Sequence, residues 1–132
     1  MFFSYTEKVR FLDMNAGRHL SNDKILAYLT ECTDNFLRSI GHHIGDFFGT
    51  ALIFSEINVK YIREVRYPNS ITIQMVVDQI TESRILFSYK CYDDLNQLTH
   101  VAKMKCALFS LQEQKIMDIN QKVIGVLEAY RI

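Results

Sequence analysis

The stretch SNDKILAYLTECTDNFLRSIG, residues 21–41, carries the clearest structural signal in the chain. Its apolar residues recur at the three-or-four spacing that forms one face of a helix, and they are Ile25, Leu26, Leu29, Cys32, Phe36, Leu37 and Ile40. Ser21, Asn22 and Asp23 are candidate N-terminal caps, and Gly41 is the expected C-terminal stop. A helix of about 18 residues would be about 27 Å long. Its apolar face therefore needs a large partner surface.

The sequence after the helix changes to the alternating pattern of β-strands. In the first strand the predicted apolar face consists of Ala51, Ile53, Ser55, Ile57, Val59 and Tyr61. The next three strands place their apolar residues at Ile71, Ile73, Met75 and Val77, at Ile85, Phe87, Tyr89 and Cys91, and at Ala102, Met104, Cys106 and Leu108. The stretches REVRYPNS and DDLNQ have the composition of turns between them.

The two ends of the chain complete the predicted order. The N-terminal stretch MFFSYTEKVRF reads as a first strand, and DINQKVIGVLEAYRI reads as a short helix with Ile119, Val123, Val126 and Leu127 on one face. A strand, a long helix and then at least four consecutive strands indicate the α+β class. We therefore predict a single domain over residues 1–132, with an antiparallel meander and one helix on one face of it. Few small α+β plans fit this order, and one of them is the hotdog fold, a curved antiparallel sheet of about five strands wrapped around one long central helix.

Composition and charge exclude several classes of protein. Fifteen lysine and arginine residues balance fifteen aspartate and glutamate residues, so no net charge attracts nucleic acid or an anionic membrane. The N-terminus lacks the features of a secretion signal or a membrane span. Cys32, Cys91 and Cys106 lie far apart, and three thiols cannot form a closed disulfide set. We expect a cytoplasmic protein with reduced core thiols and neither a nucleic-acid nor a membrane partner.

Two motifs resemble the hydroxybenzoyl-coenzyme A type of acyl-CoA thioesterases. Residues 9–41 are similar to that family's opening pattern of an Arg-aromatic pair, Asp-x-Asp, a small bend, a histidine-containing turn and the central helix. The matching positions are Arg10, Phe11, Asp13, Ala16, Gly17, His19 and Asn22. Residues 55–73 resemble the second family motif at Tyr61, Arg63, Arg66, Ile71 and Ile73. The resemblance covers nearly the whole chain, including the order of the strands.

The resemblance implies a function, a substrate and an assembly. It predicts a thioesterase, that is, a thiolester hydrolase, acting on an acyl-CoA or acyl-carrier-protein thioester without a cofactor. It also implies a homodimer or homotetramer with sites at the subunit boundary. The pair His42 and His43 has no further cysteine or carboxylate cluster beside it, so we expect no metal site.

Asn15 is the departure from the family pattern that bears most on the chemistry, because the family commonly has a catalytic aspartate there. Glu64 also replaces a proline, and Pro68 with Asn69 replaces a Gly-Asp turn. An asparagine cannot take up a proton near neutral pH, but its amide donates two hydrogen bonds. We therefore predict that Asn15 and a backbone amide at the helix start polarise the thioester carbonyl. The alternative is that Asn15 only caps a turn.

Three side chains are candidates for the missing base. We rank Glu31 in the middle of the helix first, His19 second and Asp13 third. Asp13 is expected to point away from Asn15 and to hold the loop through backbone amides. The structural alternatives are that Glu31 is a solvated helix residue and that His19 makes a structural hydrogen bond in the loop.

Other residues are predicted to bind the substrate. The resemblance implies that the acyl chain lies between the central helix and a neighbouring subunit's sheet. Aromatic side chains can shape an acyl pocket, and the candidates are Tyr28, Phe47, Phe48 and Phe54. Basic side chains near strand ends can bind the phosphates of coenzyme A. The candidates are Lys60, Arg63, Arg66 and Arg84. Two other functions stay open: a non-catalytic acyl-thioester binding protein of the same fold, and a hydroxyacyl-thioester dehydratase.

Overall fold

The computed structural model describes residues 1–132. Its strands are β1 (Phe3–Lys8), β2 (Ala51–Tyr61), β3 (Ser70–Ile80), β4 (Ile85–Tyr92), β5 (Leu98–Ser110) and β6 (Lys115–Met117), and its helices are α1 (Ile25–Ser39) and α2 (Gln121–Leu127). The strands form one six-stranded sheet in the order β1-β3-β4-β5-β2, with β6 paired to β5. Every pair is antiparallel. The predicted plan of one long helix against an antiparallel meander is confirmed, with one strand more than expected.

The long helix α1 packs its apolar face onto β1 and β3. Its buried residues are Ile25, Tyr28, Leu29, Cys32, Thr33, Phe36 and Leu37. Phe36 lies at the centre of an aromatic group and meets Phe3, Phe87 and Tyr130 edge to face. Leu26, which the spacing places on the apolar face, is 40% exposed. Compared with the predicted apolar face, the buried face of α1 is therefore rotated slightly away from Leu26 and toward Tyr28 and Thr33.

The two ends of α1 differ in how well the sequence predicts them. Gly41 has a φ of 88° and its N–H donates to the carbonyl of Arg38, so the predicted glycine stop is confirmed. At the other end a 3-10 turn over Asn22–Lys24 precedes the helix, and neither N-cap residue, Ser21 for this turn or Lys24 for α1, makes a side-chain capping bond. The prediction of side-chain caps is therefore wrong, and the helix instead continues from the 3-10 turn.

Strands β3, β4 and β5 form the core as the alternation predicts. The apolar residues named above on these three strands are all buried, at 1% exposure or less. All three cysteines are unpaired and buried in this core. Burial raises the pKa of the Cys91 thiol to about 12 and raises the pKa of Cys32 and Cys106 as well. The prediction of core thiols is therefore confirmed.

Strand β2 corrects the predicted apolar face. Leu52 and Phe54 pair with Leu108 and Cys106 of β5, so they face the core. The register then shifts between Phe54 and Glu56, and this β-bulge moves the inward phase by one residue. Beyond it the inward residues are Ile57, Val59 and Tyr61, as predicted. Before it the predicted members Ala51 and Ile53 lie on the other face.

Strand β2 is also an edge strand, because its only neighbour in the chain is β5. The inner face of its second half is not covered by α1, and Ile57 and Tyr61 remain 38% and 49% exposed. This end of β2 lies next to the loop that precedes α1. Together they frame a polar cleft beside the two family-like motifs of the sequence.

Candidate active site

The loop that precedes α1 is folded back against the segment that precedes β3. We call residues 13–24 the site loop. The N–H of Leu20 donates to the carbonyl of Val65 at 2.7 Å, and an isolated β-bridge joins His19 to Arg66. The two family-like motifs, which are far apart in the sequence, are therefore in direct contact in the fold.

Asn15 has its side-chain oxygen committed to the site loop. Its Oδ1 accepts hydrogen bonds from the N–H groups of Gly17 at 3.0 Å and His19 at 3.2 Å. A side chain at position 17 would sit close to this oxygen, because an added Cβ would lie 3.4 Å from Oδ1. Both side-chain hydrogen bonds of Asn15 thus use Oδ1, which is the turn-capping arrangement, and the Nδ2 group is left available as a donor.

Asp13 and Tyr28 form a separate structural pair. The Tyr28 hydroxyl donates to Asp13 Oδ2 at 2.6 Å and accepts from the N–H of Arg10 at 3.1 Å, and the Arg10 guanidinium lies 3.5 Å from the same carboxylate. Burial and the bond to Asp13 raise the pKa of Tyr28. Asp13 is thus held by side chains, not by backbone amides as predicted. Tyr28 is fully buried with its hydroxyl occupied, which leaves it no free surface for an acyl group.

His19 is paired with a carboxylate. Its Nδ1 lies 2.9 Å from Oε2 of Glu64, the residue that stands where the family usually has proline. A carboxylate at Nδ1 orients the ring and directs Nε2 away from the pair. No sequence pattern indicates this contact, because His19 and Glu64 are brought together only by the bridge between the site loop and the segment before β3.

A cleft of about 500 Å³ opens between the site loop and the end of β2. This volume is typical of small-molecule sites. The lining residues come from the site loop, the end of β2 with the following segment, and the start of β5: Asn15, His19, Leu20, Ser21, Asn22, Asp23, Tyr61, Ile62, Arg63, Glu64, Val65 and His100. We call this space the site cleft. It brings together Asn15 and His19, whereas Asp13 and Glu31 do not line it.

His100 is the lining residue that the sequence interpretation missed. It lies on β5 opposite Tyr61, with the two rings 5.5 Å apart and edge to face, and it is only 5% exposed. Burial lowers its pKa to about 4. A signal was present in the sequence, because His100 is in phase with Ala102, Met104 and Cys106 and is therefore a polar residue on the core face of a strand.

Glu31 lies outside this arrangement. Its side chain is exposed on α1, and its carbonyl accepts a hydrogen bond from the Asn35 side chain. Within one chain it is therefore a solvated helix residue, the structural alternative to its predicted role as base.

The predicted substrate-binding residues lie in different places. Phe54 packs against the core from β2, whereas Phe47 and Phe48 line a separate cavity of about 650 Å³ near α2. Arg63 lines the site cleft and, with Arg66, a neighbouring cavity of about 330 Å³. Lys60 is exposed near the same end of β2. Arg84 does not join this group, because the whole length of β3 separates it from Arg66.

Two further observations concern metals and membranes. No group of three histidine, cysteine, aspartate or glutamate side chains is arranged to hold a metal ion. Neither helix of the chain combines the length and the apolar composition that a membrane crossing requires.

Comparison with known proteins gives a family match and many similar folds. The model of the thioesterase-like superfamily matches residues 9–127. No curated protein sequence matches the chain. Among solved structures, a DHNA-CoA thioesterase from Staphylococcus aureus is 13% identical with a TM-score of 0.85, covering 98% of this chain and 88% of its own. A hypothetical protein from the same organism, solved in complex with CoA, is 11% identical with a TM-score of 0.88, covering 98% and 84%.

A third similar structure is the 12:0-ACP thioesterase from Umbellularia californica. It is 15% identical with a TM-score of 0.82, and the match covers 99% of this chain but 51% of the plant protein. At these identities the likeness concerns the fold, and it confirms the predicted hotdog fold.

Proposed function

Because the chain belongs to the thioesterase-like superfamily, we propose that it hydrolyses acyl thioesters of coenzyme A or of an acyl carrier protein. The observation that carries the proposal is the site cleft, in which a fixed asparagine amide and a histidine oriented by a carboxylate lie together. The names of the similar structures support both carriers, since they include a CoA thioesterase and an acyl-carrier-protein thioesterase.

In the proposed reaction Asn15 stabilises the charge on the thioester carbonyl. Its Oδ1 is held by two backbone N–H groups, so its Nδ2 is preorganised as a donor. Asn22 and Asp23 line the same cleft in the first turn before α1, where backbone N–H groups lack partners within the helix. One of these N–H groups is the proposed second donor.

His19 is the proposed base. Water attacks the thioester carbon as His19 Nε2 takes one of its protons, and a C–O bond forms. The tetrahedral intermediate then collapses, the C–S bond breaks, and the imidazolium returns the proton to the leaving thiolate. Glu64 holds the ring during both steps. This reverses the order expected from the sequence, because Glu31 is exposed and outside the cleft.

The proposal includes an assembly of at least two subunits. The free edge of β2 and the half-exposed residues beside the site cleft are surfaces that a second copy would cover. Arg63 and Arg66 are the proposed phosphate contacts, since both are exposed and line the cavity next to the site cleft. Lys60 is a further proposed contact, because it is exposed near the same end of β2.

The test is thiol release from a panel of acyl-CoA and acyl-carrier-protein thioesters, with the wild type, His19→Ala and His43→Ala. His43 is an exposed histidine outside the site cleft and serves as the matched control. We expect turnover of at least one acyl class, a loss of about 10² to 10⁴-fold in kcat for His19→Ala, and no comparable loss for His43→Ala. Absence of thiol release across the whole panel would contradict the proposal.

One observation favours a second function, a thioester-binding protein without turnover. The Asn15 side chain already has a structural role through Oδ1, so its presence does not require catalysis. That function predicts saturable binding of acyl-CoA with no thiol release. The dehydratase alternative predicts instead the release of water from a hydroxyacyl thioester with the thioester bond intact, which mass spectrometry of the product would reveal.

A further inference from the structure

His100 offers the site cleft a fixed hydrogen-bond acceptor. Its ring lies near the start of β5, packed edge to face against Tyr61, and both residues line the cleft. Its Nδ1 is 2.8 Å from Oγ1 of Thr99, and that hydroxyl donates its own proton to the carbonyl of Cys91 at 3.1 Å. Because the hydroxyl proton is used in that bond, we assign Thr99 as the acceptor of the hydrogen bond and Nδ1 as the protonated nitrogen. This arrangement makes Nε2 the unprotonated nitrogen.

The Nε2 atom of His100 is open to the cleft. Every fully buried side-chain nitrogen and oxygen in the chain has a hydrogen-bond partner, whereas the only partner of the His100 ring is Thr99, through Nδ1. Nε2 is therefore not sealed in the core and faces the space that the ring lines. Because burial lowers the pKa of this ring to about 4, it stays neutral near pH 7 and keeps its acceptor.

A neutral acceptor in a cleft selects a particular kind of ligand group. It cannot attract a phosphate, which needs a donor or a positive charge, and it cannot bind the carbonyl oxygen of the thioester. It matches an N–H or O–H donor, and leaving the acceptor unpaired once a ligand has displaced water from the cleft is costly. Saturated acyl chains have no such donor. The cysteamine end of the phosphopantetheine arm, which CoA and acyl carrier proteins share, has an amide N–H.

We propose that His100 is a substrate-binding residue whose Nε2 accepts a hydrogen bond from the cysteamine amide N–H of the thioester arm. This inference rests on the proposed function, in which Asn15, another lining residue of the same cleft, holds the thioester carbonyl. The amide nitrogen is separated from the thioester carbon by the sulfur and two methylene carbons, a reach of about 5 Å. A cleft of about 500 Å³ has room for this part of the arm.

The test removes the donor from the substrate and the acceptor from the protein. The substrates are two thioesters of the same acyl group, one of N-acetylcysteamine and one of its ester analogue, 2-mercaptoethyl acetate, in which oxygen replaces the N–H. We expect wild-type kcat/KM to be on the order of tenfold higher for the amide than for the ester, since the ester leaves Nε2 unpaired. In His100→Phe the two substrates should be hydrolysed at equal rates.

The fold should tolerate His100→Phe, because phenylalanine keeps a ring against Tyr61 and Thr99 keeps its hydrogen bond to the Cys91 carbonyl. Two further variants sharpen the comparison. His100→Gln supplies an amide oxygen and should restore part of the preference for the amide substrate. His42→Phe is the matched control, because His42 packs on Phe47 and Phe48 outside the site cleft, and it should keep the full preference.

Several results would overturn the inference. Equal wild-type rates on the two substrates would do so, and so would an equal loss on both in His100→Phe, which would indicate that His100 acts on water or on the fold. Failure to hydrolyse any thioester contradicts the proposed function instead. For that case the ¹⁵N shift of wild-type His100 Nε2 is followed during titration with pantetheine: an upfield movement supports the inference and an unchanged signal refutes it.

Discussion

The side chain of Asn15 presents two different groups, and the structure distinguishes them. The carbonyl oxygen accepts from the N–H groups of Gly17 and His19 and so fixes the site loop. The NH₂ group remains for a ligand. An aspartate would serve the first purpose equally well, because a carboxylate oxygen also accepts two hydrogen bonds, but it could not donate.

Asn15→Asp therefore separates hydrolysis from binding. If Asn15 donates to the thioester carbonyl, the variant should fold normally and lose about 10² to 10³-fold in kcat, the usual effect of removing an oxyanion donor. Thiol release measures the loss, and the melting temperature should stay close to that of the wild type. A large gain in hydrolysis would instead support the thioester-binding alternative, in which only a carboxylate is missing from an intact site.

His100 makes a second prediction at the scale of one residue. Its folded-state pKa of about 4 is below the ordinary value of 6.5, so the unfolded chain binds the proton more readily and stability falls as the pH falls from 6.5 toward 4. Between pH 7 and pH 5 this one group should cost about 2 kcal/mol of unfolding free energy.

Urea unfolding of the wild type and His100→Phe at both pH values measures that contribution. At a fixed protein concentration, the decrease between pH 7 and pH 5 should be smaller in the variant by about 2 kcal/mol. Asp34 and Asp78, whose pKa values are also lowered, are present in both proteins, so their effect cancels. An identical pH dependence in the two proteins would show that His100 is not buried as the structure describes.

At the scale of the elements, the periodicity of the sequence predicts most of the fold. Strands β3 and β4 alternate between buried and more exposed residues because one face of each belongs to the core, and β5 does so over residues 100–106. Strand β2 departs from it because a bulge near Ser55 shifts the phase, and a single-sequence pattern has no marker for an inserted residue. The short strand β6 was also missed. It has only three residues, Lys115–Met117, which are too few to show a period.

The candidate site is less predictable from these elements. Asn15 and His19 stood out because they lie in one continuous motif. The partner of His19, Glu64, and the cleft residue His100 lie about 45 and 81 residues away in the sequence, and only the bridges between loops and strands bring them together. Arg84 was predicted to join the basic residues because it lies near a turn, but that turn is at the far end of β3 from Arg66.

At the scale of the whole molecule, the free edge of β2 is the surface at which we propose that a second copy pairs. The strand is 11 residues long, pairs with β5 on one side only, and carries Ile57 near its middle at 38% exposure. A two-fold axis that pairs this edge with the same edge of a second copy would pass close to the strand centre. Ile57 of each copy would then lie near its counterpart.

Ile57→Lys should therefore weaken the assembly, because the two lysines would repel each other across the paired strands. Light scattering after gel filtration should show a shift from dimer or tetramer toward monomer. Ile116→Lys is the control, since Ile116 is similarly exposed, at 40%, but lies on β6, on the other side of β5 from β2. Equal behaviour of the two variants, or a wild type that is already monomeric, would contradict this assignment of the edge.

The sequence by itself determined the two helices and the five longer strands of this protein, their order and the loop that holds Asn15 and His19. It could do so because helical spacing, strand alternation and turn chemistry are local properties of the chain. Only the tertiary structure decided which polar groups come together: Glu64 with His19, Tyr28 with Asp13, and His100 with Asn15 in the lining of one cleft. These contacts depend on the bulge in β2, on the register of the strands and on the pairing of two distant loops, and such long-range geometry leaves no periodic mark in one sequence.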